Sequence, residues 1–140
     1  MILHCTYEEL MALSATAGRV MSAAEGSSRV AAPPEALADV AHLQPQLQGD
    51  LTISTLEEQR MLERAVDYLL EEVRQRMNRF ILRQHVGSED ATNAYFEYAH
   101  VYVLRERVRG VGREMVAMIE LMTGAPPTVE SARTVSFADD

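Results

Sequence analysis

Between Ser54 and Gly124 the chain carries two consecutive apolar stripes at helical spacing, with a glycine and a serine between them. The first stripe is Leu62, Val66, Leu69, Val73, Met77 and Phe80, widened by Leu70 and Ile81. The second is Val101, Leu104, Val108, Val111, Met115, Met118 and Met122, with Tyr95, Tyr98, Tyr102 and Ile119 as a second row. Steps alternating between three and four place a stripe on one side of an α-helix and exclude a strand, whose period is two. Helices gain most of their stability by burying such a face, so the pattern predicts an antiparallel hairpin. At 1.5 Å per residue each arm is roughly 50 Å long.

Local signals mark the ends. Ser54 with Glu57, or Thr55 with Glu58, forms a capping box at the start of the first arm; hydroxyl and carboxylate satisfy the free N–H groups of a first turn. The first arm is expected to end near Val86-Gly87, with Gly87 in the left-handed position that follows a helix. Ser88 caps the second arm, and Glu89 and Asp90 favour its positive N-terminus. Gly124-Ala125-Pro126-Pro127 stops it, because proline cannot continue a helix.

Charges suggest an alignment for the arms. Facing positions in an antiparallel pair have residue numbers with a constant total. Glu63 with Arg113, Asp67 with Arg109, Glu71 with Arg105 and Arg79 with Glu97 all total 176, which centres the hairpin on Ser88. Exposed pairs contribute about 0–1 kcal/mol each, so they would set the register while the stripes supply the stability. Gly110 and Gly112 sit in the second arm, and each costs a helix interior about 1 kcal/mol relative to alanine. One of them is expected to admit another helix, either the first helix through Ser14, Gly18 and Ser22 or the same arm of a second subunit.

The remainder of the chain is shorter-ranged. Thr6-Tyr7-Glu8-Glu9 is a further capping box and opens a helix to about Ala24, with Leu10, Leu13, Ala17, Val20 and Ala24 on one face. Glu25 to Pro34 reads as a loop. Pro34 suits the first position of a short helix through about Leu43, and Pro45 ends it. Met1–Cys5, Leu47–Ile53 and Thr134–Phe137 have strand-like patterns; if all are strands, they form a small sheet at one end of the bundle. The expected fold class is therefore mainly α: a long helical hairpin (54–124) plus a shorter N-terminal helix and connecting segment (1–53), and a tail (125–140), in a single domain of 140 residues.

Composition excludes several classes. The net charge of −8 opposes nucleic-acid binding, which needs a basic face to neutralise phosphates. One cysteine excludes an internal disulfide framework. No apolar run approaches the 18 residues of a membrane span, and the N-terminus lacks the pattern of a secretion signal. A cytoplasmic protein with no nucleic-acid or membrane partner is the expectation. All 13 basic residues are arginine, a bias that a GC-rich genome also produces.

Few residues suggest chemistry. Glu97-Tyr98-Ala99-His100 matches Glu-x-x-His, the helical pair that ligates iron in ferritin-like bundles. With 15 Glu and 4 His in the chain, one such pair is close to chance, and the second copy that a di-iron centre wants is missing. Glu97 and His100 are the metal candidates, set against the plainer reading of an ion-paired glutamate and a half-buried histidine. His4 and Cys5 are adjacent, but neighbours on a strand point to opposite faces; a half-buried free thiol is the simpler account. No phosphate-binding glycine loop or nucleophile elbow is present. No catalytic residue and no cofactor are assigned. Tyr95, Tyr98, Tyr102, Met115, Met118 and Met122 are the interface candidates, since tyrosine tolerates half-burial and methionine adapts to irregular surfaces.

These features favour a non-enzymatic assembly or adaptor protein acting through a homodimer or another protein partner. A bundle that binds a small molecule or metal, in the ferritin-like manner, is the alternative. An acidic, antitoxin-like antagonist of a basic partner is the third reading, supported only by the charge.

Overall fold

The computed structural model describes residues 1–26, 33–83 and 87–124. Of the loop expected over Glu25 to Pro34, residues 27–32 lie outside the described residues, as do Val86 and Thr134–Phe137; Glu25 and Gly26 belong instead to the last turn of the first helix. The fold is mainly α. Helices α1 (Tyr7–Gly26), α2 (Pro34–Leu43), α3 (Leu56–Leu82) and α4 (Glu89–Thr123) pack against one another. Strands β1 (Ile2–Leu3) and β2 (Leu51–Thr52) form a small antiparallel sheet, with Ile2 opposite Thr52 and Leu3 opposite Leu51. Ile53 N–H extends the pairing by donating to the Met1 carbonyl at 2.8 Å. The strand expected over Leu47–Ile53 is shorter than its alternating pattern, because a turn over 47–49, which follows the 3-10 helix at Gln44–Gln46, occupies its first half.

The helix starts follow the caps. Thr6 N–H donates to Glu9 Oε1 at 2.8 Å, and Glu9 N–H donates to Thr6 Oγ1 at 3.1 Å, closing a capping box at α1. At α3 the capping residue is Thr55, whose Oγ1 accepts from Glu58 N–H at 3.1 Å; the Glu58 carboxylate reaches back to Ser54 N–H. Ser88 Oγ accepts from Ala91 N–H at 3.1 Å to start α4. Gly124, with φ of +68°, ends it in the left-handed region that glycine adopts without penalty.

The core is assembled from all four helices and the residues around β2. Leu13 and Ala17 of α1, Val40 of α2, Leu51 and Ile53, Val66, Leu69 and Val73 of α3, and Val101, Leu104 and Val108 of α4 are all essentially inaccessible. Each fully buried aliphatic side chain of this size stabilises the fold by about 1.5–3 kcal/mol before entropy is counted. The predicted stripes thus form the core of the hairpin from Leu62 to Val73 on α3 and from Val101 to Val108 on α4, with Val111 and Met115 half-buried against it; Met77 and Phe80 are only half-buried and Ile81 is exposed.

The register differs from the expected one by a turn. Arg105 Nε donates to Asp67 Oδ1 at 2.7 Å, and Arg109 Nε lies 3.9 Å from Glu63 Oε1. Both pairs total 172, not 176. Glu71 bonds Arg74 within its own helix instead of reaching Arg105, and Glu97 is held by Arg76 and Arg19 instead of Arg79. The cause is the repeat of the charges themselves. Acids on α3 and arginines on α4 both recur every four residues, so a slip of four re-pairs half of the ladder with itself. The helix ends break the tie. α3 stops at Leu82, capped by Arg83, and not near Gly87; Gly87, with φ of +92°, lies in the connection. Ile81 is the last apolar residue of the α3 stripe, and a helix with no further face to bury gains little by continuing.

Of the paired glycines, Gly112 is the one that admits a neighbour, and the neighbour is not a helix backbone. A Cβ built there would lie 2.5 Å from Gln59 Nε2. Gln59, buried on α3, fills that space and donates from Nε2 to the Val108 carbonyl at 2.9 Å. The small-residue row of α1 is not the partner: a Cβ at Gly18 would meet nothing within 4 Å.

Candidate functional site

α4 has 35 residues and α3 has 27, so the two arms are unequal. In the observed register Leu56, the first residue of α3, stands opposite position 116 of α4. About two turns of α4, some 10 Å at 1.5 Å per residue, continue past the end of its neighbour. Met118 and Met122 lie on that extension, 52% and 82% exposed, with Ile119 beside them. They continue the line that packs on α3 further back, and they are exposed because α3 has not yet begun. Met115, just before the extension begins, still packs against the core.

The tyrosines divide in the same way. Tyr98 packs against the core, and its ring centroid lies 6.1 Å from that of Tyr102, which is 45% exposed. Tyr95 is exposed and meets Phe96 edge-on, with centroids 5.9 Å apart. Next to them, a depression of about 270 Å³ at the hairpin tip is lined by Met77, Ile81, Gly87, Ala91, Thr92, Tyr95 and Phe96. The structure therefore separates the six interface candidates into Tyr98 and Met115 against the core, Tyr95 and Tyr102 along the outer side of α4, and Met118 and Met122 at its far end.

On α4, three exposed apolar residues were missing from the sequence-based stripes: Phe96, Val103 and Leu121. Leu121 and the others share the side of α4 turned away from α1 and α3. The signal was present in the sequence, since Phe96 and Val103 are a heptad apart, but the stronger inward stripe on the same helix masked it.

Glu97 is an ion-pair junction. Its Oε2 accepts from Arg19 Nη2 of α1 at 2.8 Å and from Arg76 Nη1 of α3 at 3.1 Å, so one carboxylate ties α1, α3 and α4 together. His100, a turn further on, is half-buried. Among the described residues no three His, Cys, Asp or Glu side chains converge as metal ligands would. Two guanidiniums on the carboxylate oxygen oppose a cation there electrostatically.

No family model, no curated protein and no solved structure matches the chain. Its own geometry is what bears on function.

The N-terminal corner is a second polar cluster. Asp50 accepts from His4 Nδ1 at 2.7 Å and from Cys5 N–H at 3.0 Å through its two oxygens. These bonds, the Cys5 backbone first and His4 second, hold the Asp50 carboxyl below the usual aspartate range. Cys5 is half-buried, with Sγ 3.6 Å from the Leu3 carbonyl. Burial, and then the charge of Glu9, push its thiol up, away from the thiolate that a nucleophile requires. Glu9 itself is buried and accepts from Arg107 Nη2 at 2.6 Å, linking the start of α1 to the middle of α4. A cavity of about 290 Å³ opens between α2, β2 and the start of α3, with Asp39, His42 and Glu58 among its polar residues. Asp39 is already held by Arg64 at 3.1 Å, and Glu58 by the α3 cap. Among the described residues no helix is long and apolar enough to cross a membrane.

Proposed function

We propose that this chain is a non-enzymatic assembly or adaptor protein of the cytoplasm that acts through protein–protein contacts, with a second copy of itself as the partner. The observation that carries the reading is the outer side of α4, where Phe96, Val103 and Leu121 are 55%, 53% and 84% exposed. The inner side of the same helix is fully buried at Val101, Leu104 and Val108. Phe96 and Val103 stand a heptad, about 10 Å, apart on this side; clustered exposed apolar residues favour interaction sites, whereas isolated ones are ordinary. Two hairpins meeting through this side set the two α4 helices against each other, with each α3 behind its own α4. The polar clusters do not compete with this reading, since Glu97, Glu9, Asp39 and Asp50 are each engaged in ion pairs or hydrogen bonds that join secondary-structure elements. Light scattering on the purified full chain at micromolar concentration tests the proposal. Twice the monomer mass of 15.6 kDa is expected; a monodisperse monomer overturns it.

A further inference from the structure

Ala99 sits at the centre of an uncharged patch on the outer side of α4. On a helix, the side chains that surround a residue are those three and four positions away. Around Ala99 these are Tyr95, Phe96, Tyr102 and Val103. They are 58%, 55%, 45% and 53% exposed, and Ala99 between them is partly buried. Between Asp90 and Glu106 the only acidic or arginine side chains on α4 are Glu97 and Arg105. Both turn to other sides of the helix, Glu97 to Arg19 and Arg76 and Arg105 to Asp67. Three turns of α4 thus show aromatic and aliphatic surface with no charge in it. Beyond them the outer side becomes polar at Glu106, Gly110 and Arg113, so the patch ends there and Leu121 stands apart from it.

We infer that two copies of the chain meet at this patch, α4 against α4, antiparallel, about a two-fold axis at Ala99. This pairing rests on the assembly reading above and adds the contact and its residues. At 3.6 residues per turn, Tyr95 and Tyr102 lie on one flank of Ala99, and Phe96 and Val103 on the other. A two-fold axis makes contacts reciprocal, so that residue i meets j and j meets i. Between antiparallel helices it also brings each flank against the same flank of the partner. Tyr95 therefore meets the partner's Tyr102, Phe96 meets the partner's Val103, and Ala99 meets the partner's Ala99. The smallest side chain of the patch falls on the axis, where the two backbones come closest, and the larger ones close around it. Tyrosine suits the outer positions, because its ring can be covered while its hydroxyl stays in water.

Area and chemistry make a second copy the fitting occupant. A buried aromatic side chain covers about 150–250 Å², so three rings at roughly half exposure still offer about 300 Å², and Val103 and Ala99 bring the patch to about 400 Å². Set against its own copy, such a patch removes about 800 Å² from water. Thr92, across from the partner's Glu106 at the rim, takes the total to about 1,000 Å², the lower bound for a specific interface. Glu106 keeps its own Arg105 there, and the contact asks for no new ion pair. A partner selected by charge finds nothing to read between Asp90 and Glu106, whereas a core depleted of charge is what contacts between identical chains show.

Cysteine cross-linking in the full chain tests the contact. In a Cys5→Ser background, Ala99→Cys places one thiol of each copy at the axis, within disulfide reach. Ala117→Cys, on the same outer side of α4, places the two thiols about 54 Å apart, twice the rise from 99 to 117. Mild oxidation is expected to convert Ala99→Cys to a covalent dimer and leave Ala117→Cys monomeric on a denaturing gel. Val103→Glu puts a charge into the patch at a side chain that its own chain leaves half exposed. It is expected to halve the mass seen by light scattering while the helical circular dichroism is retained. Leu121→Glu, an equal change outside the patch, is expected to leave the dimer intact. A dimer in which Ala99→Cys does not cross-link, in which both cysteines cross-link equally, in which Val103→Glu stays dimeric, or which Leu121→Glu dissociates overturns the contact at Ala99 and leaves the assembly reading standing. A wild-type monomer overturns both.

Discussion

Gln59 of α3 reaches across the hairpin to the backbone of α4: its Nε2 donates to the carbonyl of Val108 at 2.9 Å, over the space left by the missing side chain of Gly112. A buried amide is costly unless it finds a partner, and here the partner is reachable only because position 112 has no Cβ. Gly112→Ala should displace the amide. The loss is about 1–3 kcal/mol for a buried polar group left unpaired, set against about 1 kcal/mol that alanine returns to the helix. A net destabilisation is therefore expected in urea melts. In a Gln59→Ala background the same change should no longer cost stability, so the double-mutant cycle should show strong coupling.

Leu69 has no accessible surface, so Leu69→Ala should destabilise the fold by about 2–5 kcal/mol. Leu82, 82% exposed at the end of α3, is the control: Leu82→Ser should melt within a degree or two of the wild type. Equal effects from the two substitutions would show that the inner and outer sides of α3 have been exchanged.

The Glu9–Arg107 pair should be what keeps the start of α1 on α4. Glu9 is 4% exposed at its side chain and Arg107 38%. Removing the cation leaves a buried carboxylate without its partner, which costs up to about 3–5 kcal/mol at fully buried sites and less here because arginine is partly solvated. Arg107→Ala should therefore accelerate amide exchange across the first turns of α1 more than in the middle of α3. Glu9→Gln, which removes the charge but keeps an oxygen for the Thr6 N–H, should be milder.

Acid should loosen the N-terminal corner at a pH set by Asp50. Its carboxyl titrates below the usual aspartate range because the Cys5 N–H and His4 bond the ionised form. A depressed folded value contributes stability that is fully present above the unfolded value and is lost as pH falls through the folded one. The carboxyl resonance of Asp50 should thus titrate at a lower pH than that of a free aspartate, and Asp50→Asn should remove this step from the acid side of the stability profile. A titration at the ordinary aspartate value would mean that the two hydrogen bonds do not form in solution.

The caps at Thr6, Thr55, Ser88 and Gly124 were legible because a cap is decided within four residues by groups adjacent in the chain. The inner stripes were legible for the same reason as far as Val108. Register was not local. The charge ladder has a period of four on both arms, so its slip by a turn from 176 to 172 still leaves two of the four pairs, Glu63 with Arg109 and Asp67 with Arg105; where α3 ends, at Leu82, decided it. The methionines at 118 and 122 read as stripe because their spacing is correct. Their exposure follows from the length of α3, which the spacing on α4 does not encode. Gln59 was passed over because a glutamine on a helix is ordinarily solvated, and nothing in the sequence marks it as the occupant of the gap at Gly112. The outer row of Phe96, Val103 and Leu121 was hidden by a helix that is apolar on two sides.

The two turns of α4 that extend beyond α3 have no α3 residue opposite them, and a helix end of this kind unzips and re-forms on the sub-microsecond timescale of helix–coil exchange. The chain thus has a gradient along one helix, from a rigid centre at Val101–Gly112 to an end at Met118–Thr123 that samples coil whenever nothing lies against it. A molecule arriving there meets a flexible grip and not a fixed edge, and it must order that grip as it binds. Backbone order along α4 therefore serves as a running readout of occupancy: relaxation at Leu121 should slow when the face is covered, while Leu104 stays as it was.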